Sequence, residues 1–259
     1  ISTLVRTAGL PRPLPKIGEI VAALAKAGVF RLRSVLVGTV AYQTYPASLA
    51  IRLPAASTAT QDVDIAQFNN VSIAVEDATA PMIDVLKSVD ESFRPVPHLS
   101  DRKRTVTYRA ADGIRVDFLT PNEGRDTDKP KRLPALGTDA EPLRFLDFLI
   151  HRPEPAVVLH GAGIYVNVPA PERYAVHKLI VTHRRVGPGK AKQAKDLLQA
   201  EALLNRLVDV RPEELRDVWQ EAVSRGDKWS ESMMASLARL DAKVRDRTLA
   251  VIGKTLSGR

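Results

Sequence analysis

Gln61-Asp62-Val63-Asp64-Ile65 alternates polar and apolar side chains with the two-residue period of a strand, and its two carboxylates are the point from which the rest of the chain can be placed. On a strand, residues two apart project from one face, so Asp62 and Asp64 sit side by side while Val63 and Ile65 fill the opposite face. Upstream, Ser34-Val35-Leu36-Val37 is a short apolar, β-branched run that ends in Gly38-Thr39, after which Val40, Ala41 and Tyr42 begin a helix. Downstream, 105–109 and 113–119 read as a hairpin turning at Asp112-Gly113, and its second arm carries Asp117 in Arg115-Val116-Asp117-Phe118-Leu119.

Asp117 on a neighbouring strand would complete a cluster with Asp62 and Asp64. Three close carboxylates repel one another unless a cation neutralises them, and hard oxygen donors of this kind suit Mg²⁺ or Mn²⁺. Such an ion could bridge nucleotide phosphates and activate an attacking hydroxyl, which is the chemistry of phosphoryl or nucleotidyl transfer. The Gly38-Thr39 turn adds a place for phosphate, since a missing side chain exposes backbone N–H groups and the Thr hydroxyl can donate to a phosphate oxygen. A Gly-Thr pair or an Asp-x-Asp pair alone carries little information. The ordered set of apolar strand, Gly-Thr, helix, Asp-x-Asp strand and later Val-Asp strand is far more specific.

That order resembles the signature of nucleotidyltransferases of the DNA polymerase beta-like superfamily, carried here by Val37-Gly38-Thr39, Asp62-Val63-Asp64 and Val116-Asp117-Phe118. Two departures are evident. Thr39 stands where Ser or Gly is usual, and the 24 positions from Gly38 to Asp62 exceed the spacing of minimal members, as an inserted segment around 47–59 would explain. A nearer likeness is to the bacterial abortive-infection and toxin-type branch, in Tyr174-Ala175-Val176-His177-Lys178-Leu179 and Lys192-Gln193-Ala194-Lys195-Asp196-Leu197. The resemblance spans about residues 32–208. It implies an α+β, mixed-sheet nucleotidyltransferase fold with a helical C-terminal domain, using Mg²⁺ or Mn²⁺ and an NTP. Asp62, Asp64 and Asp117 would be catalytic and metal-binding, Gly38 and Thr39 would hold phosphate, Lys178 would be catalytic and contact the triphosphate, and Asp196, also on the nucleotide side, would orient Lys178 or support the edge of the active site.

The remaining chain sets the frame. Its 259 residues carry 38 Lys+Arg against 30 Asp+Glu, a net charge of +8, with 44% hydrophobic residues, which excludes a wholly disordered or fibrous chain. Charged residues interrupt every apolar segment short of a membrane span, so no membrane association is expected. Cysteine is absent, which excludes a disulfide framework and thiolate metal sites and favours a reducing compartment, so a cytoplasmic location is expected. The five histidines form no i, i+4 pair on a helix, so zinc is not expected. From Lys178 to Lys195 lie six basic residues and no acidic one, which admits RNA or tRNA as acceptor; a protein or small-molecule acceptor, and a catalytically silent nucleotide- or RNA-binding module, remain alternatives. A toxin-type protein would also admit an antitoxin or a homo-oligomer as partner.

Periodicity divides the chain into an α/β domain over 1–168 and a helical domain over 169–259. Within them the spacing predicts a helix at about 15–28, a loop over 52–61, a sheet continuation at 71–75 and a helix over 81–93. It also predicts a surface connection over 121–142, strands at 156–160 and 164–168, and helices at about 171–185, 190–208, 212–225 and 228–253.

Overall fold

The computed structural model describes residues 1–74, 76–185 and 187–253, in two compact units. The first comprises Ile1–Pro46 and Thr58–Pro169, the second Ala47–Ser57 and Ala170–Arg259. The architecture is α+β, with a mixed sheet in the first unit and helices in the second. Among the described residues no helix is long and apolar enough to cross a membrane.

The first unit is built on a seven-stranded sheet of β1 (Val35–Val37), β2 (Asp62–Ala66), β3 (Arg94–Pro97), β4 (Thr105–Arg109), β5 (Arg115–Pro121), β6 (Lys131–Leu133) and β7 (Thr138–Leu143). The order runs β1-β2-β5-β4-β3, with β7 alongside the far end of β5 and β6 on β7. β2 pairs antiparallel with β1 and parallel with β5, so the central pair needs the long crossover that residues 67–114 provide. A separate hairpin joins β8 (Glu154–Val158) to β9 (Ile164–Val168). Asn167 on β9 donates to the Phe30 and Ser34 carbonyls, at 2.8 and 3.0 Å, and so ties that hairpin to the approach to β1.

The core follows from strand alternation. Val63, Ile65, Val116 and Phe118 are completely buried, with Leu36 on β1, and the helix Pro15–Lys26 packs Ile17, Ile20, Val21 and Leu24 into the same interior. The polar partners of those strand residues are therefore left together on the other face.

The structure corrects five local expectations. Residues 69–74 are a helix rather than a sheet continuation, anchored where buried Ser72 accepts the Ala135 N–H through its hydroxyl; Val75, the end of the predicted strand, lies outside the described residues. The predicted 81–93 helix stops at Lys87, because Asp90 accepts the Ser92 N–H in a turn that leads into β3. The 121–142 connection contains β6, a short 3₁₀ turn and β7. The last predicted helix is two, Asp227–Leu237 and Ala242–Ile252, the second capped by Asp241, whose carboxylate accepts the Lys243 and Val244 N–H groups. Within the 52–61 loop, Ala55–Thr58 forms one helical turn.

In the second unit, helices Pro171–Arg184 and Gln193–Val210 pack together and bury Tyr174, Leu179, Ile180, Leu203 and Leu204. The segment Ala47–Ser57 is fastened to them by polar bonds: Gln199 donates to the Ser57 carbonyl at 2.8 Å and accepts from the Tyr174 hydroxyl at 2.9 Å, and Arg206 donates to the Leu49 carbonyl. Gln199 is wholly buried, so replacing it by Leu removes both bonds where water cannot substitute. Q199L is expected to cost about 2 kcal/mol, read from the urea midpoint of purified wild type and variant; an unchanged midpoint would show that these bonds do not hold the segment.

Candidate active site

The strands bring two of the predicted carboxylates of the first unit, Asp64 and Asp117, into one row. In the pairing register Val37 lies opposite Asp64, Asp64 opposite Asp117, and Asp117 opposite Thr107, so β1, β2, β5 and β4 each contribute one position at the same height. Two residues back along β2 and β5, Asp62 lies opposite Arg115. Asp62 and Asp64 share a face by strand alternation, as do Arg115 and Asp117. Val63, Ile65, Val116 and Phe118 occupy the core side.

Gly38 stands over this row. Its φ of +67° is a left-handed conformation that favours glycine, and a Cβ built on it would fall 2.1 Å from Asp64 Oδ2. The turn that ends β1 therefore needs glycine for two reasons, backbone shape and room for the carboxylate. Thr39, next in the chain, is 8% exposed at the start of the short helix Gly38–Tyr42.

Arg115 is the residue of this site to which the sequence reading gave no role. Its Nη2 donates to both oxygens of Asp117 at 3.0 Å, and the Thr107 hydroxyl donates to Asp117 Oδ1 at 2.5 Å. Burial, the largest influence, pulls the guanidinium's pKa down, yet Asp117, Asp62 and Asp64 together outweigh it and hold the group above its ordinary value. Arg115 thus stands within the field of all three carboxylates. The available signal was the i, i+2 spacing of Arg115 and Asp117, which puts both on one face of a strand.

The donor set suits a hard divalent cation: carboxylates in register on adjacent strands, a backbone cradle that a Cβ would fill, and a place already taken by positive charge. Among the described residues, no group of three or more His, Cys, Asp or Glu side chains is gathered closely enough to hold an ion as it stands. Asp117 is meanwhile engaged by Arg115 and Thr107.

The other two predicted residues lie in the second unit. Lys178, on helix Pro171–Arg184, has a mostly buried side chain; its ammonium donates to Asp196 at 2.7 Å and lies 5.2 Å from the Tyr174 ring centroid. Asp196 is 3% exposed and also accepts from Arg185 Nε at 2.5 Å. Burial pushes its carboxyl up, but Lys178 and then Arg185 outweigh that and hold it below the usual carboxylate range. Part of the basic run at 178–195 is thus internally compensated. Beside Lys178, burial and then that ammonium push His177 down to about 3, so its imidazole stays neutral.

A carboxylate row thus lies beneath a glycine turn on a mixed sheet, and the second unit is helical. Comparison with known proteins then gives the family. The sequence model described as Nucleotidyltransferase matches residues 15–224, and the chain belongs to that family. Comparison with curated proteins gives no match. A solved structure, the crystal structure of an antigenic nucleotidyltransferase-like protein from Paracoccidioides brasiliensis, is similar at 14% identity and a TM-score of 0.37, covering 86% of this chain and 95% of that one.

Two measurements check the site as it stands. Gly38→Ala should lower stability by about 1–2 kcal/mol and by less when Asp64→Ala is made in the same chain, because the second change removes the clashing oxygen. Strictly additive urea midpoints would contradict the contact. For His177, the unfolded imidazole takes a proton near its ordinary pKa while the folded one resists until about 3. Stability should therefore fall as pH drops from about 6.5 towards 3, by up to about 1.4 kcal/mol per pH unit. His177→Gln should flatten that slope; equal slopes would mean that the folded imidazole protonates freely.

Proposed function

We propose that the chain catalyses transfer of a nucleoside monophosphate from an NTP to an acceptor hydroxyl, with release of pyrophosphate, and that RNA, tRNA among it, is the acceptor. The observation that carries the reading is the register of Asp64 against Asp117 beneath Gly38 in a chain of the nucleotidyltransferase family. Asp62, Asp64 and Asp117 would hold Mg²⁺ or Mn²⁺, which when bound neutralises developing phosphate charge and lowers the pKa of the attacking hydroxyl.

The chain's own groups divide the remaining work. Asp117 receives the proton of the acceptor hydroxyl as its oxygen attacks the α-phosphorus and the bond to the β-phosphate oxygen breaks. The Gly38 backbone and the Thr39 hydroxyl hold phosphate oxygens, fixing the in-line geometry that converts an encounter into a near-unimolecular step. Lys178 supplies a compact positive charge to the triphosphate, and Asp196 fixes the direction of that ammonium through its 2.7 Å bond. The basic run at 178–195, including exposed Lys190, supports a polyanionic acceptor, and together with the motifs around Lys178 and Asp196 it supports placement near the abortive-infection and toxin-type branch. An antitoxin or a second copy as partner, and a cytoplasmic location, belong to that same placement.

A second reading, a silent nucleotide- or RNA-binding module, is favoured by one observation, the engagement of Asp117 by Arg115. Incubation with each α-labelled NTP, Mg²⁺ and total cellular RNA separates the two. Labelled RNA is the expected product, and Asp64→Asn should reduce its rate by at least about 10³-fold while the circular dichroism spectrum stays that of wild type. Labelled protein would move the acceptor to a protein side chain, and NTP retained without turnover would establish the silent module. Equal rates in wild type and D64N would remove Asp64 from the chemistry.

A further inference from the structure

In the proposed nucleotidyl-transfer site, the group that meets Asp117 in the protein by itself is a cation of the chain's own. We infer that Arg115 is an internal counter-ion that competes with the divalent cation for Asp117, and so sets the ion concentration at which the site loads. The inference rests on the proposed function, because it needs the three aspartates to be the metal ligands.

The geometry favours competition over simple support. One guanidinium nitrogen lies 3.0 Å from both oxygens of Asp117, so it uses the lone pairs that an incoming ion would need. Thr107 takes a further share of Oδ1 from the other side. Arg115 also lies opposite Asp62 in the register and feels the charge of both Asp62 and Asp64, which places it against the whole cluster rather than against one partner. Like charges in adjacent strand positions destabilise a sheet, and a guanidinium two residues away on the same strand relieves that repulsion without closing any loop of chain. The Arg115 side chain is 44% exposed while that of Asp117 is 16% exposed. The arginine can therefore leave towards solvent, and the carboxylate stays in place.

Two consequences distinguish a competitor from a residue that merely holds Asp117 in position. Removing a competitor raises metal affinity, whereas removing a support lowers it. Removing the counter-ion also takes the guanidinium from Asp117, so the metal-free protein loses thermal stability and regains more of it when the ion is added. Arg115→Gln keeps a polar side chain of similar length without the charge; Arg115→Lys keeps the charge as a single point without the fork.

The test is Mn²⁺ binding to the full chain without nucleotide, followed by the electron paramagnetic resonance signal of free Mn²⁺, with melting temperatures in EDTA and in saturating Mn²⁺. Wild type should bind, R115Q should bind roughly tenfold more tightly, and R115K should fall between them. R115Q should also melt below wild type in EDTA and gain more from Mn²⁺. If R115Q does not fold in EDTA, R115K carries the comparison and must still bind more tightly than wild type. Equal or weaker binding by the variants, with wild type binding, overturns the competition and leaves the proposed function standing. Absence of binding in wild type and variants alike overturns both.

Discussion

Two aspartates from different strands are held directly opposite one another, Asp64 against Asp117, and everything else about the first unit bears on how that repulsion is tolerated. Parallel pairing of β2 and β5 puts the two at one height, and the apolar residues on either side of each fix which face they occupy. A one-residue slip of either strand would send its carboxylate into the core and its valine or phenylalanine into water. The hydrophobic interior therefore pins the polar face. On that face the Arg115 guanidinium and the Thr107 hydroxyl both donate to Asp117.

The glycine turn belongs to the same constraint. Gly38 lies so close to Asp64 Oδ2 that the absence of a side chain at one position and the presence of a carboxylate at the other are a single structural requirement. In the second unit a comparable economy holds Asp196, almost fully buried, between Lys178 and Arg185. A buried carboxylate with two cationic partners stays ionised, and it gives a lysine on a helix a fixed direction that a solvated lysine would lack. In each unit a carboxylate of low exposure is thus paired with a cation of the chain's own.

Much of this was legible from short-range periodicity. β1, β2, β4 and β5 alternate cleanly or form compact apolar runs, and the turn at Asp112-Gly113 is a strong local signal; all four appear within a residue or two of the expected limits, except that β5 runs on to Pro121. The elements that escaped are those in which local chemistry misleads. β3 carries Pro95 and Pro97, as an edge strand can, and so gave no strand signal. β6 and β7 lie in a stretch rich in proline and charge, and the helix at 69–74 contains the β-branched Val71 and Ile73. At the site, the shared face of Asp62 and Asp64 follows from a two-residue period. The pairing of Asp64 with Asp117 does not, because parallel register is set by contacts across some fifty intervening residues. Arg115 could have been found: it lies two residues before Asp117, but a search for acids passes over the base that compensates them.

The central claim is that these three aspartates form one cation-binding face governed by Arg115. Anomalous diffraction from crystals soaked in Mn²⁺ with a non-hydrolysable NTP tests it most directly. The account predicts a peak about 2.1–2.2 Å from oxygens of both Asp64 and Asp117, with the Arg115 guanidinium withdrawn from Asp117. A peak elsewhere, or nucleotide bound with Arg115 still bridging the two oxygens of Asp117, would contradict it.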